Sequence, residues 1–178
     1  MINKKIRRRK GFTLAETLIA IVLLLLATGI VTVGIPMAIE AYKKVTQAAN
    51  AQALLSTTMT ELRDKIAFSE DVKVDSSNLT VTFTGENGRS YKISNQNTDS
   101  IKGIYMEDVT VGATKTDSRL LVSDEAASKE LYAKYDSITY SSSNSDLITF
   151  NNVKVYRKSD NHELSAIEKY DIELMNNE

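Results

Sequence analysis

The chain has 178 residues, enough for one ordinary domain plus an anchor, with 22 Lys and Arg against 23 Asp and Glu. The absence of cysteine excludes disulfides, thiolate metal sites, cysteine nucleophiles and a lipidated N-terminal cysteine, and a single histidine excludes a two-histidine metal site. Lys4, Lys5, Arg7, Arg8, Arg9 and Lys10 crowd into residues 1–11 without an acid, which leaves 16 cations against 23 acids, a formal −7, for the rest; nucleic acid is therefore not expected through a general basic surface.

Behind the cations comes "KGFTLAETLIAIVLLLLATGI", Lys10 to Ile30, within an uncharged run that extends from Thr17 to Ile39. As a helix this run spans roughly 35 Å, enough for a hydrocarbon core of about 30 Å. It exceeds the core of about 7–15 residues of a secretory signal peptide. The cationic flank should hold residues 1–11 on the cytoplasmic side while the remainder is translocated. Glu16 is the anomaly, because a carboxylate in hydrocarbon costs about 2.5–3.5 kcal/mol at the bilayer centre and less near the interface. One reading leaves it at headgroup level, paired with Lys10 or Arg9. The other gives it a partner from another subunit.

The string resembles the N-terminus of the type IV pilin and pseudopilin family: a basic leader, Gly before Phe, then Thr-Leu-x-Glu opening a long apolar helix. The resemblance covers about the first thirty residues, and the rest carries no comparable signature. It implies that prepilin peptidase cuts the Gly11–Phe12 bond and N-methylates Phe12. Cleavage would expose an α-amine with a reference pKa of about 7.7–8.0, largely protonated at neutral pH. Glu16, buried in a helical bundle, would pair with the Phe12 amine of a neighbouring subunit and set the axial register. Gly11, lacking a Cβ, suits an extended entry into a protease cleft.

Helical character continues through "EAYKKVTQAANAQALLSTTMTELRDKIAF", which has neither Gly nor Pro. One helix is expected from about Thr13 to Phe68. Tyr42, Val45, Ala49, Met59 and Ile66 recur near heptad spacing, with Leu55 and Leu62 on an adjacent line. One stripe of the C-terminal half should pack on the head, with the opposite face outward. Gly29, Gly34 and Pro36 make the helix weakest there, at about 1 kcal/mol per glycine and about 3 for proline. Membrane helices tolerate both residues; the resemblance implies a segment that bends or melts on packing into a filament.

Beyond "IAFSED" the pattern alternates. "VKVD", "LTVTF", "SYKIS", "SITYS", "DLITF", "VKVYR" and "KYDIEL" read as short strands between turn clusters. "TVTFTGENGRSYKIS" reads as a hairpin around Asn87-Gly88. "DEAASKELYAKY", residues 124–135, reads as a short surface helix. No catalytic set emerges. His162 lies in the polar turn "RKSDNHEL"; Glu107, Asp108, Asp124 and Glu125 read as solvated surface; no acidic spacing resembles an EF-hand loop. No cofactor or metal is expected. The eight tyrosines suit either a sheet core or a contact surface.

The expected fold is α+β and pilin-like: one long N-terminal helix, membrane-spanning in its first half, packed on a small antiparallel β-sheet head. The expected domains are a cleaved cytoplasmic leader (1–11), a transmembrane and filament-core helix (12–39), its amphipathic continuation (40–68) and an extracytoplasmic β-rich head (69–178). By resemblance the chain is a non-enzymatic subunit of a type IV pilus-like filament, a minor pilin or pseudopilin. Its partners would be prepilin peptidase, other pilin subunits in a homo- or hetero-polymer, and membrane lipid before assembly. It would sit in the cytoplasmic membrane first and in a cell-surface filament afterwards. The alternative is a single-pass anchored extracellular binding module that does not polymerise.

Overall fold

A computed structural model describes residues 11–97, 102–111, 118–123, 129–142 and 146–175. The chain divides into two units, Met1–Val45 and Thr46–Glu178, and the division falls inside the single helix α1 (Leu14–Ile66). The helix starts one residue later than expected and ends two earlier. Ala67 and Phe68 form a turn in which the Ser69 hydroxyl donates to the Ile66 carbonyl at 2.7 Å, satisfying an orphan acceptor of the last turn.

In the first unit the helix is exposed throughout, and from Thr17 to Ile39 it carries no charge on any side. By length and composition it is able to cross a membrane. In the second unit it buries one stripe: Ala51, Leu54, Leu55, Thr58, Leu62 and Ile66. That stripe corrects the expected heptad line. Leu55, Leu62 and Ile66 belong to it, whereas Tyr42 and Val45 are 73% and 69% exposed and Ala49 is exposed as well. The steps of three and four follow the 3.6-residue period of a straight helix lying on sheets, not the 3.5-residue seam of a coiled coil. Thr58 sits in the stripe because its hydroxyl donates to the Leu54 carbonyl at 2.7 Å.

Two antiparallel sheets, where one was expected, cover this stripe. The first is a five-stranded meander of β1 (Glu70–Asp75), β2 (Thr80–Thr84), β3 (Ser90–Asn97), β4 (Lys102–Asp108) and β5 (Ser118–Leu120). The hairpin read from the sequence is β2–β3, with Phe83 opposite Tyr91 and a turn in which Gly88 takes φ +71°. β4 and β5 were not read from the sequence. Gly103, in β4, has φ +139°, a backbone conformation that strains any residue with a Cβ, whereas the Leu120 Cδ2 that a Cβ would meet at 2.9 Å is the tip of a flexible side chain.

The second sheet comprises β6 (Leu131–Lys134), β7 (Ser137–Ser141), β8 (Leu147–Arg157) and β9 (Glu163–Glu173). β6 pairs with residues 154–157 of β8 and β7 with residues 147–151, while β9 runs along the other edge of β8. "DLITF" and "VKVYR" are thus one strand. The expected helix over 124–135 is also corrected: 129–130 form a turn and 131–134 are β6, whereas 124–128 lie outside the described residues. Leu131 and Ala133 enter the core, and Tyr132 stacks on Tyr156 of β8 with centroids 5.5 Å apart.

The core runs through both sheets, with Val81, Ile93, Ile104, Ile138, Ile148, Phe150, Val153 and Val155 nearly solvent-free. Tyr135 packs edge-on against Phe150 at 5.2 Å, and its hydroxyl donates to the Leu79 carbonyl at 2.7 Å, tying one sheet to the other. The Tyr170 hydroxyl donates to the Met59 carbonyl at 2.9 Å, and the Met175 amide to the Ala67 carbonyl at 2.8 Å, fastening the C-terminal strand region to the helix.

Candidate processing and assembly site

Gly11, Phe12 and Thr13 precede the first helical residue in exposed chain without regular structure, and Phe12 is 84% exposed. A bond of this kind is open to a protease, since no tertiary contact has to be broken to reach it. The leader cations, including the Lys10 and Arg9 offered as partners for Glu16, lie outside the described residues.

Glu16 already has a partner within its own chain. The Thr13 amide donates to Glu16 Oε2 at 2.9 Å, the Thr13 hydroxyl donates to the same oxygen at 3.1 Å, and the Glu16 amide donates to Thr13 Oγ1 at 3.3 Å. These reciprocal bonds are a capping box, with Thr13 as N-cap and Glu16 three residues on. They satisfy two of the amides that any helix leaves unpaired at its start, and the carboxylate lies favourably at the positive end of the helix dipole. Sequence reasoning used Thr13 only as one letter of the string; the Thr-x-x-Glu spacing ahead of an apolar run is the signal that would have revealed its bonding role.

Gly29, Gly34 and Pro36 lie farther along α1, and the helix passes through them unbroken. A Cβ at either glycine would meet only open space, so neither is required for packing within the chain. Pro36 has no amide to give the Thr32 carbonyl. Thr28 and Thr32 donate their hydroxyls to the Leu24 and Thr28 carbonyls, each at 2.7 Å, as short polar side chains do in apolar helices.

Among its described residues the head holds no comparable chemical centre. Among the described residues no group of three His, Asp or Glu side chains is placed to hold a metal. His162 is exposed in the β8–β9 turn, as expected, where its amide donates to Asp160. Asp108 departs from expectation, being 8% exposed instead of solvated. Bonds from the hydroxyl and amide of Thr110, then from Arg89 Nη1 at 3.2 Å, hold its carboxyl below the usual range. An acid so stabilised as its anion serves as a turn anchor, not a proton donor at neutral pH. Glu107 is half-buried and pairs with Lys92 at 2.8 Å, while Asp124 and Glu125 lie outside the described residues.

No curated protein and no solved structure matches the chain. Residues 6–32 match the family model for the prokaryotic N-terminal methylation motif, a stretch that holds the Gly11–Phe12 junction, Glu16 and the first part of α1. That match supports a prepilin leader of the type IV pilin and pseudopilin kind, followed by a long apolar helix suited to a membrane anchor.

Proposed function

We propose that the chain is a structural, non-enzymatic subunit of a type IV pilus-like filament. In this reading prepilin peptidase removes residues 1–11 and N-methylates Phe12. Residues 12–39 hold the subunit in the cytoplasmic membrane and afterwards form the filament core; residues 40–68 continue the helix, and 69–178 are the head outside. Glu16 pairs with the Phe12 amine of a neighbouring subunit, and the segment at Gly29, Gly34 and Pro36 supplies the flexibility for packing. The observation that carries the reading is the junction itself: Gly11-Phe12-Thr13 and a glutamate at the head of an exposed apolar helix, inside the matched motif. Mass spectrometry of the protein recovered from cells tests it. A chain beginning at N-methylated Phe12 supports the reading; retained Met1, or cleavage near Ala27-Thr28-Gly29, overturns it.

We place the chain among minor pilins or pseudopilins, so it should be scarce in sheared filaments. Recovery as their main constituent would reassign it as a major pilin.

The capping box favours a second reading. If Glu16 only closes the helix start on Thr13, the protein is a single-pass anchored module that never polymerises. Glutamine separates the two, since it can complete a capping box but carries no charge for an amine.

A further inference from the structure

The β2–β3 turn carries a chemistry that neither anchoring nor assembly uses. Among all the asparagines of the sequence, only Asn87 is followed by glycine. An asparagine side chain can react with its own backbone. The nitrogen of the next residue loses its proton to solvent and attacks Cγ, and the side-chain nitrogen departs as ammonia with a proton from water. Water then opens the cyclic imide at either carbonyl, giving aspartate or its isoaspartyl isomer. A glycine in the second place favours the attack, because no Cβ shields the nitrogen and the backbone turns freely. Asn87 and Gly88 are both exposed, so water reaches them directly.

In the closed turn each reacting group is already engaged. The Gly88 amide, which holds the attacking nitrogen, donates to the Gly85 carbonyl at 2.9 Å. Asn87 Oδ1 accepts from the Arg89 amide at 3.1 Å, and Asn87 Nδ2 donates to the Tyr91 hydroxyl at 2.8 Å. The side chain thus lies back across the turn: a Cβ built on Gly85 would meet Asn87 Oδ1 at 3.4 Å and Tyr91 Cε2 at 3.2 Å. The Gly85 amide closes the loop on the Arg89 carbonyl at 2.9 Å. Glu86, Asn87 and Gly88 span it, with Gly88 at φ +71°, the left-handed conformation usual at the end of such short hairpin loops.

We propose that Asn87 is a self-modification site, converted to aspartate or isoaspartate at a rate set by opening of the β2–β3 turn. While the turn is closed, the Gly88 N–H is committed to the Gly85 carbonyl, and the Asn87 amide has two bonds to give up before Cγ can be approached. Opening of the hairpin releases all three bonds together. Because opening precedes reaction, the rate follows the population of the open form. The change is not undone on closing. Either product places a carboxylate beside Glu86 and removes the donor to Tyr91. The isoaspartyl form also adds a methylene to the backbone of a loop whose length selects its turn. The inference requires neither polymerisation nor the membrane placement of residues 12–39.

The full chain in detergent, either folded or unfolded in guanidinium chloride, is incubated at mildly alkaline pH and digested at intervals. Mass spectrometry reads the conversion of amide to carboxylate residue by residue. Asn87 should convert at least about tenfold faster in the unfolded chain than in the folded one. Asn78, in the β1–β2 turn but followed by Leu79, is the internal reference and should lag behind Asn87 in the unfolded chain. Tyr91→Phe removes the acceptor of Asn87 Nδ2 and keeps a ring against Phe83. It should raise the folded rate about threefold, the loss of one hydrogen bond, and leave the unfolded rate unchanged. Equal rates at Asn87 in the two states, or a folded rate that Tyr91→Phe leaves unchanged, overturn control by the turn. No conversion at Asn87 even in the unfolded chain, or no preference there over Asn78, overturns the site itself.

Discussion

Residues 14–45 and 46–66 belong to the same helix, yet their side chains meet different surroundings. Over the first stretch Leu18, Leu23, Ile30, Val33 and their neighbours all lie exposed, and from Thr17 to Ile39 there is no charged face to turn toward water. Over the second, only Ala51, Leu54, Leu55, Thr58, Leu62 and Ile66 are withdrawn from solvent, against the sheets. A helix that is apolar all round needs an apolar environment from outside its own chain, whereas a one-striped helix is satisfied by its own domain. Side chains of the first stretch should therefore govern anchoring and assembly, and those of the second stretch and the sheets should govern folding.

That separation can be broken by measurement. The largest effect is expected in the core: Phe150→Ala should lower head stability by about 3–5 kcal/mol, and Leu62→Ala, on the buried stripe, by about 2–5 kcal/mol, in urea unfolding of the detergent-solubilised chain. Tyr170→Phe should cost about 1 kcal/mol by removing the hydroxyl's bond to the Met59 carbonyl. Leu23→Ala, of comparable chemistry to Leu62→Ala, should change head stability by less than about 0.5 kcal/mol. A Leu23 effect as large as that of Leu62 would erase the distinction.

The smallest effect concerns pH. Because the folded-state carboxyl of Asp108 is held below its ordinary value by Thr110 and then Arg89, it contributes stability above that ordinary value, near pH 4, and loses it as pH falls through the folded value. Asp108→Asn should therefore flatten part of the acid limb of the stability profile. An unchanged slope below about pH 4 would show that the anchor carries no pH dependence.

Much of this organisation was legible in the sequence, and what was missed has identifiable causes. The long helix announces itself by composition, and the β2–β3 hairpin by Asn87-Gly88. β8 reads as two strands because its buried positions change phase, from Ile148 and Phe150 to Val153 and Val155, with Asn152 at φ 51° at the slip. β6 hides in a run of good helix formers. Its strand form is set by pairing with residues 154–157, which no local window contains. Asp108 seemed solvated beside Glu107, but adjacent residues of a strand face opposite ways, and Asp108 follows Ile104 and Met106 inward. At the head of the helix Glu16 stands out against the apolar run, whereas its bond to Thr13 is signalled only by a three-residue spacing beside that run.

The most direct test of the central claim is the filament yield of Glu16→Gln, measured by shearing beside an unsubstituted control in cells that make the partner subunits. Glutamine can keep the capping box with Thr13 while discarding the negative charge. If the charge binds one subunit to the amine of the next, incorporation should fall by at least about tenfold with membrane levels unchanged, a loss of about 1.4 kcal/mol or more per contact. Incorporation at the normal level would contradict the account and leave Glu16 as no more than the cap of its own helix.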